Sequence, residues 1–235
     1  MYRRAGFQLW RCTGLISVII PALNEAEGII QMLQPLQPLR KQGGEVILVD
    51  GGSRDHTVSL ATPYVDQVIV SEAGRAKQMN RGAAVATGTI LWFLHADTQL
   101  PPDAAEQIEQ QLQQAEWGRF NLRLSGQTPL LRVVEWMINR RSCWSGVATG
   151  DQGIFLSRPL FEQLGGYPEI PLMEDIALSK QLRQISPPCC IPTILITSSR
   201  RWEQRGVIPT ILLMWWLRFA YWVGVSPQRL ARWYR

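Results

Sequence analysis

Asp97 closes the run Ile90-Leu91-Trp92-Phe93-Leu94-His95-Ala96, an apolar stretch of strand length that ends in a carboxylate. A buried strand ending this way sets its aspartate at the carboxyl edge of a sheet, where open α/β sheets bind ligands. Two earlier apolar runs end in polar groups of the same kind. The first leads into Pro21-Ala22-Leu23-Asn24-Glu25 and the second into Asp50-Gly51-Gly52-Ser53-Arg54-Asp55. Taken singly, each has an ordinary structural use: Asn24 and Asp55 as helix caps, Gly51 and Gly52 as a turn. Brought to one edge, they make a cleft of Asp, Asn and Gly suited to a polar ligand and a divalent cation. A second acidic pair, Glu174-Asp175, opens a helix, where it also complements the helix dipole.

The elements that must position these groups alternate between strand and helix. Strands are expected over residues 15–20, 45–50, 67–70 and 90–97, with helices over 25–33, 57–61 and 75–87 between them. Pro35 and Pro38 cut the first helix, and Pro101-Pro102 starts one after the fourth strand. Strands alternating with helices imply a mainly parallel sheet covered on both faces. Parallel strands put their carboxyl ends on one edge, so the polar groups should converge. In the second half, residues 117–124 alternate like a strand and 128–141 fit an amphipathic helix. Gly150-Asp151-Gln152-Gly153 precedes another strand, Ile154-Phe155-Leu156. Residues 176–183 are helical, and 190–197 form a last strand.

The balance of 24 Lys+Arg against 19 Asp+Glu gives +5, with basic residues gathered from Arg200 onward. That suits phosphates or a lipid surface. There is no lysine-rich run interleaved with aromatics, which argues against nucleic acid. Cys12, Cys143, Cys189 and Cys190 show neither zinc spacing nor a disulfide framework, so reduced cysteines in a cytoplasmic protein are expected. Met1 to Gly14 lacks the apolar segment of a signal peptide and reads as an extension.

Residues 16–25, 46–57 and 94–102, together with Gly74-Arg75-Ala76-Lys77-Gln78-Met79-Asn80, resemble a family 2 glycosyltransferase of the GT-A type. Within that family the chain is similar to the small bacterial subgroup associated with radical-SAM enzymes. The resemblance covers the chain after Gly14 and implies a GT-A, Rossmann-like fold with a mostly parallel sheet. Residues 15–205 would form the transferase domain, its nucleotide-binding half 15–100 and its acceptor half 101–205. Residues 1–14 would be an N-terminal extension and 206–235 a C-terminal helical tail.

The resemblance also implies roles. Pro21, Ala22, Asn24 and Glu25 would line the pocket of a nucleotide-diphosphate sugar. Asp50 would contact the base or ribose, with Gly51 and Ser53 allowing close backbone approach. The segment from Arg75 to Asn80 would close over the nucleotide, with Arg75 or Lys77 near phosphate. A helix start solvated by Arg75 and Lys77 is the competing reading. His95-Ala96-Asp97 takes the place of an Asp-x-Asp motif. Asp97 is the implied ligand for Mn²⁺ or Mg²⁺, Ala96 lies beside it, and His95 reads as a neutral, hydrogen-bonded residue. Asp175 is implied as the general base on an acceptor hydroxyl, with Glu174 in support and inversion at the sugar. Arg200 or Arg201 would contact the diphosphate, with a solvated basic loop as the competing reading. Arg201-Trp202 is similar to the pair in processive members, but the preceding glutamine of their motif is missing.

Two rivals stand against this reading. One is a catalytically inactive module that binds sugar nucleotides or membranes; intact Asp97 and Asp175 argue against it. The other is a nucleotidyltransferase, whose glycine-rich loop after the first strand is absent. The tail carries the uncharged run from Val207 to Leu217, interrupted early by Pro209 and followed by Arg218. It is too short for a clean span, so two placements stay open: on an anionic membrane surface, with Arg218, Arg229, Arg232 and Arg235 at head groups, or packed on the domain or in a homodimer interface. A lipid-linked acceptor would make the first placement useful, with the protein peripheral on the inner face of the membrane.

Overall fold

The computed structural model describes residues 14–234. Cys12, the rest of the expected extension up to residue 13, and Arg235 lie outside the described residues. One seven-stranded sheet runs through the chain in the order β3-β2-β1-β4-β6-β5-β7. Its strands are β1 (Ile16–Ala22), β2 (Glu45–Asp50), β3 (Gln67–Val70), β4 (Ile90–Phe93), β5 (Trp117–Leu124), β6 (Phe155–Ser157) and β7 (Cys189–Thr197). All pairings are parallel except those of β6, which runs antiparallel to both β4 and β5. The expected parallel sheet is therefore interrupted once, by a three-residue strand.

Alternation along β1 explains the two layers. Ile16, Val18, Ile20 and Ala22 face one core with Val46, Leu48, Trp92 and Phe120. Ile19 faces the other with Ile47, Val49, Leu91 and Phe93. A strand with helices on both faces buries both sets, which is why β1, β2 and β4 read as unbroken apolar runs. On the first face lie α1 (Ile29–Leu33), α2 (Gln37–Lys41) and α5 (Ala104–Gln111); on the second lie α4 (Arg75–Val85) and α8 (Glu174–Ile185). α3 (Thr57–Ala61) links β2 to β3, and α7 (Arg158–Gln163) follows β6 directly.

Pro35 and Pro38 do not cut the chain out of helix. Each occupies an early position of a new short helical turn, Gln34–Leu36 and then α2, where its missing N–H costs no hydrogen bond. The expected first helix is correspondingly shorter, beginning at Ile29 and not at Glu25. α6 (Pro129–Ser145) runs past the expected end at Arg141. Its Asn139 side chain pairs with both backbone groups of Leu122, fastening α6 to β5. Cys143 near its end is joined in a disulfide to Cys190 on β7, with Cα atoms 5.9 Å apart, and Cys189 is free. This corrects the expectation of reduced thiols for that pair. The partners are 47 residues apart, and only the docking of α6 beside β7 brings them together.

After β7 come α9 (Arg200–Arg205), α10 (Val207–Trp222) and α11 (Pro227–Tyr234). The inner face of α10 is packed: Leu217 and Ala220 join Met173, Ile176 and Leu230 in a small core. Among the described residues no helix is long and apolar enough to cross a membrane.

Helix α4 rests on the sheet through Gly82, where an added Cβ would lie 2.5 Å from Ile19 Cγ2 and 2.9 Å from Val49 Cγ2. Alanine there gains helix propensity of about 1 kcal/mol but overpacks a filled core at a cost of about 1–3 kcal/mol. Gly82→Ala should therefore be net destabilising in a urea melt, and a variant at least as stable as wild type would show that α4 is not seated by this contact.

Candidate active site

The loop after β1 is stitched to the loop after β2. The Asn24 N–H donates to Ser53 Oγ at 2.9 Å, and Asn24 Oδ1 accepts the Arg54 N–H at 2.8 Å. Glu25 N–H donates to Thr57 Oγ1, and Ala26 N–H to Asp55 Oδ2. Asn24 holds φ at 56°, a conformation asparagine tolerates better than most residues. Buried Asp50 accepts the N–H groups of Gly52 and Ser53, closing its own turn. Gln78 of α4, also buried, donates Nε2 to the carbonyls of Ala22 and Val49 and so ties the ends of β1 and β2 together.

β6 delivers a further set of groups. Because it enters the sheet antiparallel beside β4, the residues just before it arrive at the carboxyl edge of β4. Phe93 N–H donates to Ile154 O at 2.9 Å, which fixes that register. Gly150 packs against His95 so closely that a Cβ would stand 2.6 Å from His95 Nε2. The His95 imidazole is held neutral, its pKa pushed down to about 3 by burial and by the charge of Arg75. From the far side, the start of α8 brings Asp175, whose Oδ2 accepts the Gly150 N–H at 2.9 Å. Met173, just before α8, takes a left-handed φ of 71° to make this entry.

These walls enclose one cleft with two lobes. The larger, about 730 Å³, is lined by Asn24, Glu25, Asp55, Asp97 and Arg200 among others. The smaller, about 390 Å³, is lined by Arg75, His95, Asp151, Glu174, Asp175 and Arg218 among others. Asp97 and Arg200 belong to both lobes. Arg200 pairs with Glu25 at 3.3 Å across the cleft. Burial raises the pKa of Asp97, partly countered by Arg75 and Arg200. Burial and the nearby Asp97 raise that of Glu25. Burial, with Asp175 beside it, lifts Glu174 to about 7.

The sequence-derived residues thus separate into groups. Asn24, Glu25, Arg75, Asp97, Glu174, Asp175 and Arg200 line the cleft. Ala22, Asp50 and Ala96 are buried at its edge, Pro21 lies near the end of β1, and Gly51 and Ser53 sit in the stitched loop after β2. Lys77 and Asn80 are not brought into the two lobes. Lys77 pairs with Glu72 at the surface. Asn80 spends its amide on both backbone groups of Tyr167. Not singled out in the sequence as site residues were Thr149 and Asp151, which no motif marks, and Arg218. The expectation that Arg218 meets head groups is corrected: the inner face of α10 carries it into the smaller lobe.

No group of three His, Cys, Asp or Glu side chains that could hold a metal occurs among the described residues. A cation held by protein alone does not fit. One that arrives with a diphosphate does, because Mg²⁺ and similar hard ions take one or two carboxylates and complete their shell with phosphate oxygens and water. Asp97, its carboxylate partly desolvated with Glu25 nearby, supplies that donor set.

Residues 17–120 match the family model described as Glycosyl transferase family 2. A PGL/p-HBAD biosynthesis glycosyltransferase of Mycobacterium bovis is 37% identical over 93 residues, 37% of this chain and 36% of that protein. An uncharacterized glycosyltransferase of Mycobacterium tuberculosis is 28% identical over 163 residues, 65% of this chain and 62% of its own length. The aligned stretch thus spans about a third of the first of these relatives. Among solved structures, a mannosyltransferase from Pyrobaculum calidifontis in complex with GDP-Man and Mn²⁺ superposes with a TM-score of 0.65 at 21% identity, covering 88% of this chain and 61% of that one. Glucosyl-3-phosphoglycerate synthase from Mycobacterium tuberculosis, in complex with Mg²⁺ and UDP, gives 0.61 at 20% identity, covering 83% and 76%. At these identities the likeness speaks for the fold. Over residues 17–120 the chain is thus similar to the glycosyl transferase family 2 model, and its fold is of the GT-A type.

Proposed function

We propose that the protein is an inverting glycosyltransferase that moves a sugar from a nucleoside diphosphate to an acceptor hydroxyl. The observation that carries this reading is the two-lobed cleft with Asp97 and Arg200 at the junction and Asp175 beyond it. The donor nucleotide takes the larger lobe, against Asn24 and Glu25, with the turn held by Asp50 and the backbone of Gly51 and Ser53 beneath it. Pro21, Ala22 and Ala96 shape that floor. Arg200 and Arg75 face the diphosphate, and Asp97 anchors the divalent cation. When bound, the cation neutralises charge on the departing diphosphate.

The acceptor enters the smaller lobe. Asp175, oriented by the Gly150 N–H, accepts the proton of the acceptor hydroxyl. The hydroxyl oxygen attacks the anomeric carbon as the bond to the diphosphate oxygen breaks, and the nucleoside diphosphate leaves with that electron pair. Base and leaving group on opposite sides of the sugar give inversion. Glu174, held largely protonated up to about pH 7, lowers the negative charge beside the base. In this reading residues 15–205 are the transferase unit and 206–235 its helical tail.

The same reading sets the tail on an anionic membrane face, as a peripheral protein at the inner leaflet. Ile208, Leu212, Trp215, Trp216, Phe219 and Trp222 form an outward stripe on α10, each more than half exposed. Trp216 stacks near Trp233 of α11, whose face also carries exposed Arg229 and Arg232. Residues 206–235 contain no Asp or Glu. Aromatic rings with arginines and no acids suit the interface of an anionic bilayer.

Two outcomes are expected. Asp175→Asn keeps nucleotide affinity but loses transfer by about 10²–10⁴-fold, the usual weight of a general base; near wild-type transfer in single-turnover assays would sink the assignment. A Trp216→Ser, Trp222→Ser double variant stays folded but sediments with phosphatidylglycerol vesicles about tenfold less than wild type. If vesicle binding is unchanged or absent in both, and the variant instead shifts a dimer to monomer in size-exclusion chromatography, the stripe is a homodimer interface.

A further inference from the structure

Helix α6 turns an apolar side to solvent, and nothing in the reading above uses it. Val133, Trp136, Met137, Arg140 and Trp144 recur at helical spacing and so share one side of α6. That side is open, with Trp136 64% and Trp144 91% exposed. The opposite side is spent on the domain, where Leu131 and Val134 pack with Leu122 and Leu124 of β5. α6 and α10 lie side by side and run the same way. Near their starts, Leu131, Val134 and Ile138 share a small core with Val207 and Ile211. Near their ends, burial and then the charge of Arg218 hold the Arg141 pKa down to about 10, and Val147, two residues past α6, packs against the core of Leu217 and Ala220. The apolar stripe of α10 and the open side of α6 therefore belong to neighbouring helices, each seated on the domain through its other side.

The distribution of exposed apolar groups sets this face apart. Among the described residues, the large apolar side chains exposed away from α6, α10, α11 and the adjoining Val223 are Leu15 and Leu23 at opposite ends of β1, Val70 on β3 and Ile194 on β7. Single residues of that kind are ordinary, whereas a continuous apolar face marks an interaction surface. Its charge selects the partner. Glu135 is the one acid in α6, α10 and α11, and it is buried, accepting the Leu124 N–H and pairing with Arg132 at 3.0 Å. Arg140, Arg229 and Arg232 are exposed. A second copy docked face to face would set these cations against one another with no acid to meet them. An anionic bilayer offers negative head groups to the arginines and an interface that tryptophan favours. We infer that α6 is a second membrane-docking element, and that α6, α10 and α11 together lie on the surface of an anionic bilayer. This rests on the membrane placement of the tail in the reading above, and adds to it a helix from within residues 15–205.

Sedimentation of the full chain with vesicles tests this, using pure phosphatidylcholine and an equimolar mixture of phosphatidylcholine and phosphatidylglycerol. The wild type should bind the mixed vesicles and bind the neutral ones more weakly. A Trp136→Ser, Trp144→Ser double variant, with the tail intact, should melt like wild type and bind the mixed vesicles about tenfold more weakly. Combined with Trp216→Ser and Trp222→Ser, the two losses should multiply, because both helices meet the same bilayer. Arg140→Glu should weaken binding to the mixed vesicles and leave binding to the neutral ones unchanged. If the tail variant loses binding while the α6 double variant and Arg140→Glu do not, α6 is not part of the face and the tail placement stands. If the α6 variants lose binding and the tail variant does not, α6 docks and the tail placement fails. A wild type that ignores both vesicle types overturns both; if it then sediments as a dimer that Trp136→Ser, Trp144→Ser makes monomeric, a second copy is the occupant. Binding of UDP or GDP in the same samples reports on the transferase reading independently. Should the double variant fail to fold by circular dichroism, Arg140→Glu decides.

Discussion

The hydrogen bond from the Gly150 amide to Asp175 Oδ2, at 2.9 Å, joins the pieces of chain that make the cleft. Gly150 lies against His95, which follows β4, and Asp175 stands in the first turn of α8. A carboxylate so held cannot rotate freely away from the lobe it faces. The bond exists because β6 is antiparallel. Had this strand run with its neighbours, the residues before it would lie at the opposite edge of the sheet, and α8 would have no amide to meet. A three-residue strand thereby sets the spacing between His95 after β4 and Asp175 at the start of α8.

Helix α10 does two jobs with one sequence. Its inner positions, including Thr210, Leu217 and Ala220, are buried, and Arg218 reaches the cleft. Its outer positions expose a row of aromatic and aliphatic side chains, and α6 adds Trp136 and Trp144, the latter 91% exposed. A surface that apolar is unusual for a chain that works alone in water. The stripe is mechanically close to the smaller lobe, because the two faces are separated only by the width of a helix.

Much of the edge formed by β1, β2 and β4 was legible in the sequence. β1, β2 and β4 are unbroken apolar runs, each closed by polar or glycine residues, and parallel topology forces their ends together. The smaller lobe was less so. Asp151 precedes a strand that was expected, but its placement depends on that strand running antiparallel, a reversal of direction that no local signal records. Arg218 was read as a head-group residue because hydropathy shows that the helix is apolar all round; only packing distinguishes the face against Met173 and Ile176 from the face in solvent. Cys143 and Cys190 find each other through docking of α6, not through spacing. Asn80 and Lys77 fell inside a recognisable segment, yet one fastens the Tyr167 loop and the other pairs with Glu72.

Sugar transfer as proposed requires a nucleoside diphosphate bound in the larger lobe with a cation at Asp97. A thermal-shift screen of UDP-, GDP- and dTDP-sugars, run with and without Mn²⁺ on wild type and Asp97→Ala, tests this directly. The expected result is stabilisation by one nucleotide class, enhanced by Mn²⁺ in the wild type and not in the variant, with both proteins melting cooperatively alone. A nucleotide shift of equal size in Asp97→Ala with Mn²⁺ present, or no shift by any sugar nucleotide in the wild type, would contradict it.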